Sequence, residues 1–91
     1  MNLENDTIVT ENAQLQIATE KRYFAREIMS ELIAERKRQG LTQKRIADMT
    51  GMKVSNVTRI ESCRSMPTLD VLMRYSKAVG KKLQFVLVDE E

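Results

Sequence analysis

The pattern of apolar and polar positions along this chain predicts four helices and one short strand. Apolar residues recur at intervals of three and four, which is the spacing of a single buried face on a helix. This spacing predicts helices over residues of about 20–39, 43–50, 54–62 and 69–79. Gly40, Gly51 and Gly80 follow three of these segments, and a glycine at that place ends a helix in the left-handed conformation. The pattern therefore predicts an all-α domain of four to five helices.

Two of the predicted helices carry a face that we expect to be buried. In the first helix this face consists of Phe24, Ile28, Met29, Leu32 and Ile33. In the fourth helix it consists of Leu69, Leu72, Met73 and either Tyr75 or Ser76. Thr42 and Thr68 precede the second and fourth helices, where a hydroxyl can accept a hydrogen bond from a free backbone amide. Both threonines are therefore predicted N-caps.

The first residues of the chain do not follow the helical spacing. Residues 1–18 are polar and acidic and have no clear period, so we expect a flexible acidic N-terminal segment. The helical domain is expected to occupy residues 19–80, and residues 81–91 form a third region. The chain is thus divided into a flexible end, one small domain and a C-terminal strand with an acidic tail.

The last region changes from a helical period to a strand period. Leu83, Phe85 and Leu87 alternate with the positions between them, which predicts a short C-terminal β-strand. A lone strand leaves its backbone hydrogen-bonding groups unpaired. We favour pairing with the same strand of a second copy of the chain, which predicts a homodimer. Pairing with residues 6–10, or with an edge supplied by a different protein, remains an alternative.

Residues 42–64 contain the most informative pattern of the chain. Ala47 is a small residue on one helix, where a second helix can cross closely, and Gly51 allows a tight turn between the two. Val57 and Ile60 lie three positions apart and give the second helix an inward apolar stripe. This arrangement predicts a helix-turn-helix whose second helix presents polar side chains outward.

The outward side chains predict contacts with double-stranded operator DNA, because they can hydrogen-bond to phosphates and base edges. Asn56 is the best candidate for base reading, since its amide can pair with adenine at two atoms. Ser55 and Thr58 can reach bases or phosphates, although Ser55 can instead cap its helix. Arg59 can bind phosphate or form a surface pair with Glu61. The candidate DNA-binding residues are Thr42, Gln43, Lys44, Lys53, Val54, Ser55, Asn56, Thr58, Arg59 and Arg64.

These residues resemble the helix-turn-helix of the lambda-repressor and Cro type, often called XRE-like. The resemblance covers roughly residues 28–80 and is carried by Gly40 to Gln43, Ile46, Ala47, Gly51, Ser55, Val57, Arg59 to Glu61, Arg64 and Pro67 to Leu69. It implies a lambda-repressor-like DNA-binding fold in which Gln43 contacts the DNA backbone. Three positions depart from the family pattern, because Lys53 replaces a Ser or Thr cap, Cys63 replaces a glycine and Thr50 replaces an apolar residue.

The charge distribution fits a nucleic-acid partner. Residues 21–88 hold all fifteen basic side chains and only six acidic ones. The single cysteine excludes an internal disulfide, and the absence of histidine argues against a metal site, so we expect no metal and no cofactor. No apolar run approaches the roughly 20 residues of a membrane span. The N-terminus also lacks a signal-peptide layout, so we expect a cytoplasmic protein.

The sequence does not predict an enzyme. It has no histidine, no glycine-rich phosphate loop and no nucleophile beside a plausible base. Glu31 and Glu35 lie one helical turn apart, which is typical of a solvated helix face rather than of a catalytic pair. The expected activity is therefore binding.

The plan of the whole chain is similar to antitoxins of the HigA type and to the HipB antitoxin. The similarity is carried by a leading helix that reads Ile28 to Ile33 and by the final segment that starts at Gly80. It implies a dimeric repressor of its own operon that also neutralises a toxin, for HigA a small basic HigB-like ribonuclease that cleaves messenger RNA. An acidic N-terminal segment suits such a basic partner. Two alternatives remain: a free-standing XRE-type transcriptional regulator without a toxin, and a protein-interaction module that no longer binds DNA.

Overall fold

Four α-helices make up the fold in the computed structural model of the chain. The structure describes residues 3–90, with side chains from residue 20 onward except for that of Lys21. The helices are α1 (Leu3–Arg38), α2 (Gln43–Thr50), α3 (Val54–Glu61) and α4 (Leu69–Ala78). The described residues contain no strand, so the predicted all-α class is confirmed.

The predicted starts of α2, α3 and α4 are confirmed, and hydrogen bonds at the caps explain them. The Thr42 hydroxyl accepts a hydrogen bond from the Arg45 amide at 3.0 Å, and the Thr68 hydroxyl accepts one from the Val71 amide at 3.2 Å. At α3 the capping residue is Lys53, whose side chain makes no capping hydrogen bond. The first turn of α3 therefore keeps backbone amides that no capping side chain covers.

Helix α1 begins much earlier than the sequence predicted. Its first residue is Leu3, whereas the expected start lay near Glu20. The chain has neither glycine nor proline before Gly40, so no residue type interrupts a helix over this stretch. The helix also includes residues 6–10, which excludes them as a strand partner for the C-terminal segment. Flexibility of residues 1–18 in solution is a separate property and stays a prediction.

The core lies where α1, α2, α3 and α4 meet, and it is mainly aliphatic. Its buried members are Met29, Leu32, Ile46, Ala47, Val57, Ile60, Leu72, Tyr75 and Val79. Three residues that we expected inside are exposed, namely Phe24 at 56%, Leu69 at 55% and Met73 at 52%. Among the α1 residues whose side chains the structure describes, the first buried one is Met29, so Phe24 lies beyond the core. On α4, Leu69 and Met73 lie four positions apart on the face turned away from the core.

The segment after α4 turns back against the domain and then leaves it. The Lys81 amide donates to the Ser76 carbonyl at 2.8 Å, and the Ser76 hydroxyl donates to the Lys81 carbonyl at 2.9 Å. Leu83 packs against the core, but Phe85 and the three residues after it are exposed. The predicted strand over residues 81–91 is wrong for the described part of a single chain, because no described segment runs beside it to pair its backbone.

Candidate nucleic-acid interface

Helices α2 and α3 form the helix-turn-helix that the sequence predicted. Gly51 ends α2 with φ at 74°, in the left-handed region that a residue without a Cβ adopts at little cost. Beneath α3, Val57 is fully buried and Ile60 is 5% exposed, while Ala47 of α2 is 3% exposed. The apolar side of α3 is therefore held against α2 and α1, and its polar side is left on the surface.

The candidate base-reading residues lie on that surface. All six candidates from Lys53 to Arg59 are exposed: Lys53, Val54, Ser55, Asn56, Thr58 and Arg59. The side chains of Ser55 and Asn56 make no hydrogen bond to any residue that the structure describes, so Ser55 does not cap α3 in place of Lys53. Their donors and acceptors are available to an external partner.

Gln43 and Thr58 connect the start of α2 to the outer face of α3. The Thr58 hydroxyl donates to the Gln43 amide oxygen at 2.8 Å, and the Gln43 amide nitrogen donates to Glu61 Oε1 at 3.0 Å. Gln43 is half-buried, whereas Thr58 is exposed. Two predicted DNA contacts, one from each helix, are therefore joined directly, and Gln43 connects them to a third residue, Glu61, for which the sequence did not predict this role.

That third residue, Glu61, accepts hydrogen bonds from three elements of the fold. Arg36 of α1 binds it through Nε and an Nη atom, each at 2.9 Å, and the Tyr75 hydroxyl of α4 donates to it at 2.7 Å. The Arg36 and Glu61 side chains are only 11% and 6% exposed. Burial, and then the hydrogen bond to Glu61, raise the pKa of the Tyr75 phenol, so it stays a proton donor at neutral pH.

One sequence signal points to this network. Arg36 follows Met29 and Leu32 at helical spacing, which places a charged residue on a face that is otherwise apolar and buried. A buried arginine needs a carboxylate partner, because an unpaired buried charge is strongly destabilising. The spacing does not say which acidic residue is the partner, so Glu61 emerges only from the packing of α1 against α3. The expected surface pair of Arg59 with Glu61 is not formed.

Other candidates lie at three further places. Arg59, Lys53 and Asn56 line a groove between α3 and the start of α4, together with Arg74. Arg64 lies in a different groove, between α1 and the loop after α3, with Arg22 on the opposite side. At the start of α2, Lys44 pairs with Asp48 at 3.3 Å on the surface. The structure therefore joins Thr58 of α3 to Gln43 and places Arg64 in a separate groove.

Comparison with known proteins agrees with this geometry. A family profile described as helix-turn-helix matches residues 32–86. The chain is also 32% identical over 59 residues to an uncharacterized HTH-type transcriptional regulator of Haemophilus influenzae. This alignment covers 65% of the chain and 60% of that regulator, so the chain spans less than two thirds of the relative's length. No solved structure is significantly similar to the chain. Among the described residues, no helix has the length and apolar character needed to cross a membrane.

Proposed function

This chain belongs to the helix-turn-helix family of the XRE type, and on that premise we propose that it is a sequence-specific DNA-binding transcriptional repressor. The observation that carries the proposal is the outer face of α3, where Ser55 and Asn56 are exposed and have no partner among the described residues. Val57 and Ile60 anchor the opposite face of the same helix. The basic character of residues 21–88 supplies the attraction to phosphates.

In the proposed complex α3 lies in the major groove, with its first residues at the base edges. Asn56 reads an adenine through its amide, and Ser55 lies beside it on the same turn. Lys53 lies at the positive end of α3, near a phosphate or a guanine. Contacts to the DNA backbone come from Thr42, Gln43 and Lys44 at the start of α2, and from Arg59 and Arg64 after the base-reading turn.

Replacement of Asn56 tests the base-reading role. We expect Asn56→Ala to weaken binding to the protein's own promoter by about 1–3 kcal/mol and to relax base choice at one position of each half-site. Mobility-shift titrations against operator and random DNA measure both effects. Lys44→Ala is the control, because loss of a phosphate contact weakens binding to all sequences alike. An Asn56→Ala variant that loses affinity equally for operator and random DNA would contradict the assignment.

The finer proposal is that the repressor is the antitoxin of a type II toxin-antitoxin pair and neutralises a HigB-like ribonuclease that cleaves messenger RNA. Residues 1–20 contain four acidic side chains and no basic one, and α1 includes this stretch from Leu3 onward. Where α1 leaves the core it exposes Tyr23 and Phe24, whose rings meet edge to face with centroids 5.7 Å apart. An acidic helix with an exposed aromatic pair at its base suits a basic protein surface.

Co-expression with the product of the neighbouring gene tests this part of the proposal. We expect a small basic ribonuclease to co-purify with the full chain and to be lost when residues 1–19 are removed, while operator binding is retained. If no neighbouring product binds the chain but operator binding persists, the alternative of a free-standing XRE-type regulator is correct. If the chain binds a partner but shows no salt-dependent binding to DNA, it is an interaction module instead.

The proposal also includes a homodimer, in which the C-terminal segments of two copies pair as strands. Leu83 packs against the core, but the residues after it have no strand partner in the described chain, and Phe85, Val86, Leu87 and Val88 are each at least 65% exposed. Four consecutive exposed apolar residues are costly in water. Two copies would present two α3 helices to two half-sites of an operator.

A further inference from the structure

We propose that Thr58 determines base specificity as a hydrogen-bond acceptor, and that it selects a base with a free amino group in the major groove. The amino groups available there are adenine N6 and cytosine N4. The inference rests on the proposed DNA-binding function and extends it, because it assigns a direction to each hydrogen bond at this position. It follows from three steps that begin in the interior of the protein.

The first step is that Glu61 is fixed and fully occupied. A carboxylate offers about four acceptor positions. Glu61 Oε1 accepts from Arg36 at 2.9 Å and from Gln43 at 3.0 Å, and Glu61 Oε2 accepts from Arg36 at 2.9 Å and from Tyr75 at 2.7 Å. With its side chain only 6% exposed, Glu61 is held in place by the fold and is little affected by solvent.

The second step is that Glu61 sets the orientation of the Gln43 amide. A carboxylate paired with arginine accepts hydrogen bonds and donates none, so the amide group facing it must be the NH₂ group. A flipped amide would place two acceptor oxygens against each other at the 3.0 Å contact. The amide oxygen of Gln43 therefore faces Thr58, at 2.8 Å from its hydroxyl.

The third step is that the Thr58 hydroxyl has no proton left for DNA. A hydroxyl has one proton and two lone pairs, and this proton lies on the Gln43 oxygen. Phosphate oxygens, guanine O6 and N7, and thymine O4 only accept, so Thr58 cannot bind them while it donates to Gln43. Its free lone pairs suit an amino group, while the second N–H of Gln43 suits a phosphate. Gln43 and Thr58 thus have opposite and complementary roles.

Base analogues combined with a Thr58 variant test this assignment. In the operator each adenine is replaced in turn by purine, which lacks the N6 amino group, and each cytosine by 2-pyrimidinone, which lacks the N4 amino group. We expect one position in each half-site where the analogue weakens wild-type binding by about 2- to 10-fold, the effect of one hydrogen bond. The same analogue should have no further effect on Thr58→Val, and Thr58→Ser should respond as wild type.

A second variant tests the direction of the hydrogen bonds. Gln43→Ala frees the Thr58 proton and removes a phosphate contact, so we expect weaker binding to all sequences. At the operator base that Thr58 contacts, and at no other, we expect the preference for bases with an amino group to fall by about 2- to 10-fold. Lys44→Ala, one residue along α2, should weaken binding without changing base choice. Glu61 is not used for the test, because its removal leaves the buried Arg36 unpaired and destabilises the fold. Thermal melts verify that each variant is folded.

Three results decide the matter. If Thr58→Val retains the full penalty for every analogue, the assignment of Thr58 is overturned. If Gln43→Ala leaves base choice at that position unchanged, the Thr58 proton is not held by Gln43 and the proposal is likewise wrong. A wild-type protein that binds operator and random DNA equally overturns the proposed function, and this inference with it.

Discussion

At the scale of single residues, Cys63 is the position where residue type and backbone conformation disagree most clearly. Its φ is 60°, the only positive value at a non-glycine residue in the described chain. The Cys63 amide donates to the Ile60 carbonyl at 3.2 Å and the Arg64 amide to the Arg59 carbonyl at 3.0 Å, the pair of hydrogen bonds that closes a Schellman motif. The left-handed conformation is therefore imposed by the end of α3, although the residue has a Cβ that disfavours it.

This conflict predicts that Cys63→Gly stabilises the protein. Relief of the left-handed strain is worth about 1–2 kcal/mol, and the added freedom of glycine in the unfolded chain offsets about 0.5–1 kcal/mol of it. We expect a net gain of up to about 1 kcal/mol in the free energy of unfolding, measured by urea titration. Cys63→Ala keeps the Cβ and serves as the control. Equal stability of the glycine and alanine variants would show that the Cβ is not the source of strain.

At the scale of helices, a cluster around Glu35 joins the end of α1 to the end of α4. Arg38 donates to both Glu35 oxygens through Nε, at 2.9 and 2.8 Å, and Lys81 after α4 lies 3.5 Å from the same carboxylate. Gln39 adds a hydrogen bond to the Val79 carbonyl at 2.7 Å. The hydrogen bonds from Arg38 are the main reason that the pKa of Glu35 falls from 4.5 to about 2.

A lowered carboxyl pKa predicts a loss of stability in acid. Glu35 contributes stability that is fully present above pH 4.5, the value expected for the unfolded chain, and that is lost as the pH falls towards about 2. We expect Glu35→Gln to lower the free energy of unfolding at neutral pH. Over this acid range we expect the free energy of unfolding of the variant to fall less steeply with pH than that of the wild type. Urea titrations across the range measure the change. Glu31→Gln, an exposed change on the same helix, should retain the wild-type profile; identical profiles for both variants would contradict the role of Glu35.

At the scale of the whole molecule, described residues on both sides of the core are exposed, namely Tyr23 and Phe24 of α1 and Phe85 to Val88 after α4. Helix α1 has 36 residues, and among those whose side chains the structure describes the first buried one is Met29. At the other end, Leu83 is the last residue that packs against the core, and the exposed apolar residues follow it. A domain of this size has a small core and gains much from association. The two proposed partners would meet different surfaces, the acidic stretch with the aromatic pair at residues 23 and 24, and the apolar residues 85–88.

The apolar end predicts an effect of truncation on association. We expect removal of residues 84–91 to shift the proposed dimer towards monomer in sedimentation equilibrium, because the truncation removes the exposed apolar segment and keeps Leu83 on the core. Operator binding should weaken as well, since a monomer contacts one half-site. The double variant Phe85→Ser with Leu87→Ser should act in the same direction, whereas Gln84→Ser should not. An unchanged mass after truncation would contradict pairing of the C-terminal segments.

The sequence by itself determined the helices of the DNA-binding motif, their caps and the face of α3 that is turned outward. These features depend on local rules, namely helical periodicity, threonine at an N-cap and glycine at a left-handed end, so they can be derived from Thr42, Gly51, Val57 and Ile60 alone. The sequence does not predict the early start of α1, because residues 1–18 are polar and acidic and show no clear helical period.

Only the tertiary structure decided which residues pack behind the helix-turn-helix and which of its hydrogen-bond donors and acceptors remain free. The partners Arg36, Glu61 and Tyr75 come from three helices, and no local pattern relates positions so far apart in the chain. The same holds for Gln43 and Thr58, whose side chains meet only because α2 packs against α3. The type of a residue determines whether its side chain can donate or accept a hydrogen bond. The packing of the helices determines which of these donors and acceptors are already hydrogen-bonded within the protein.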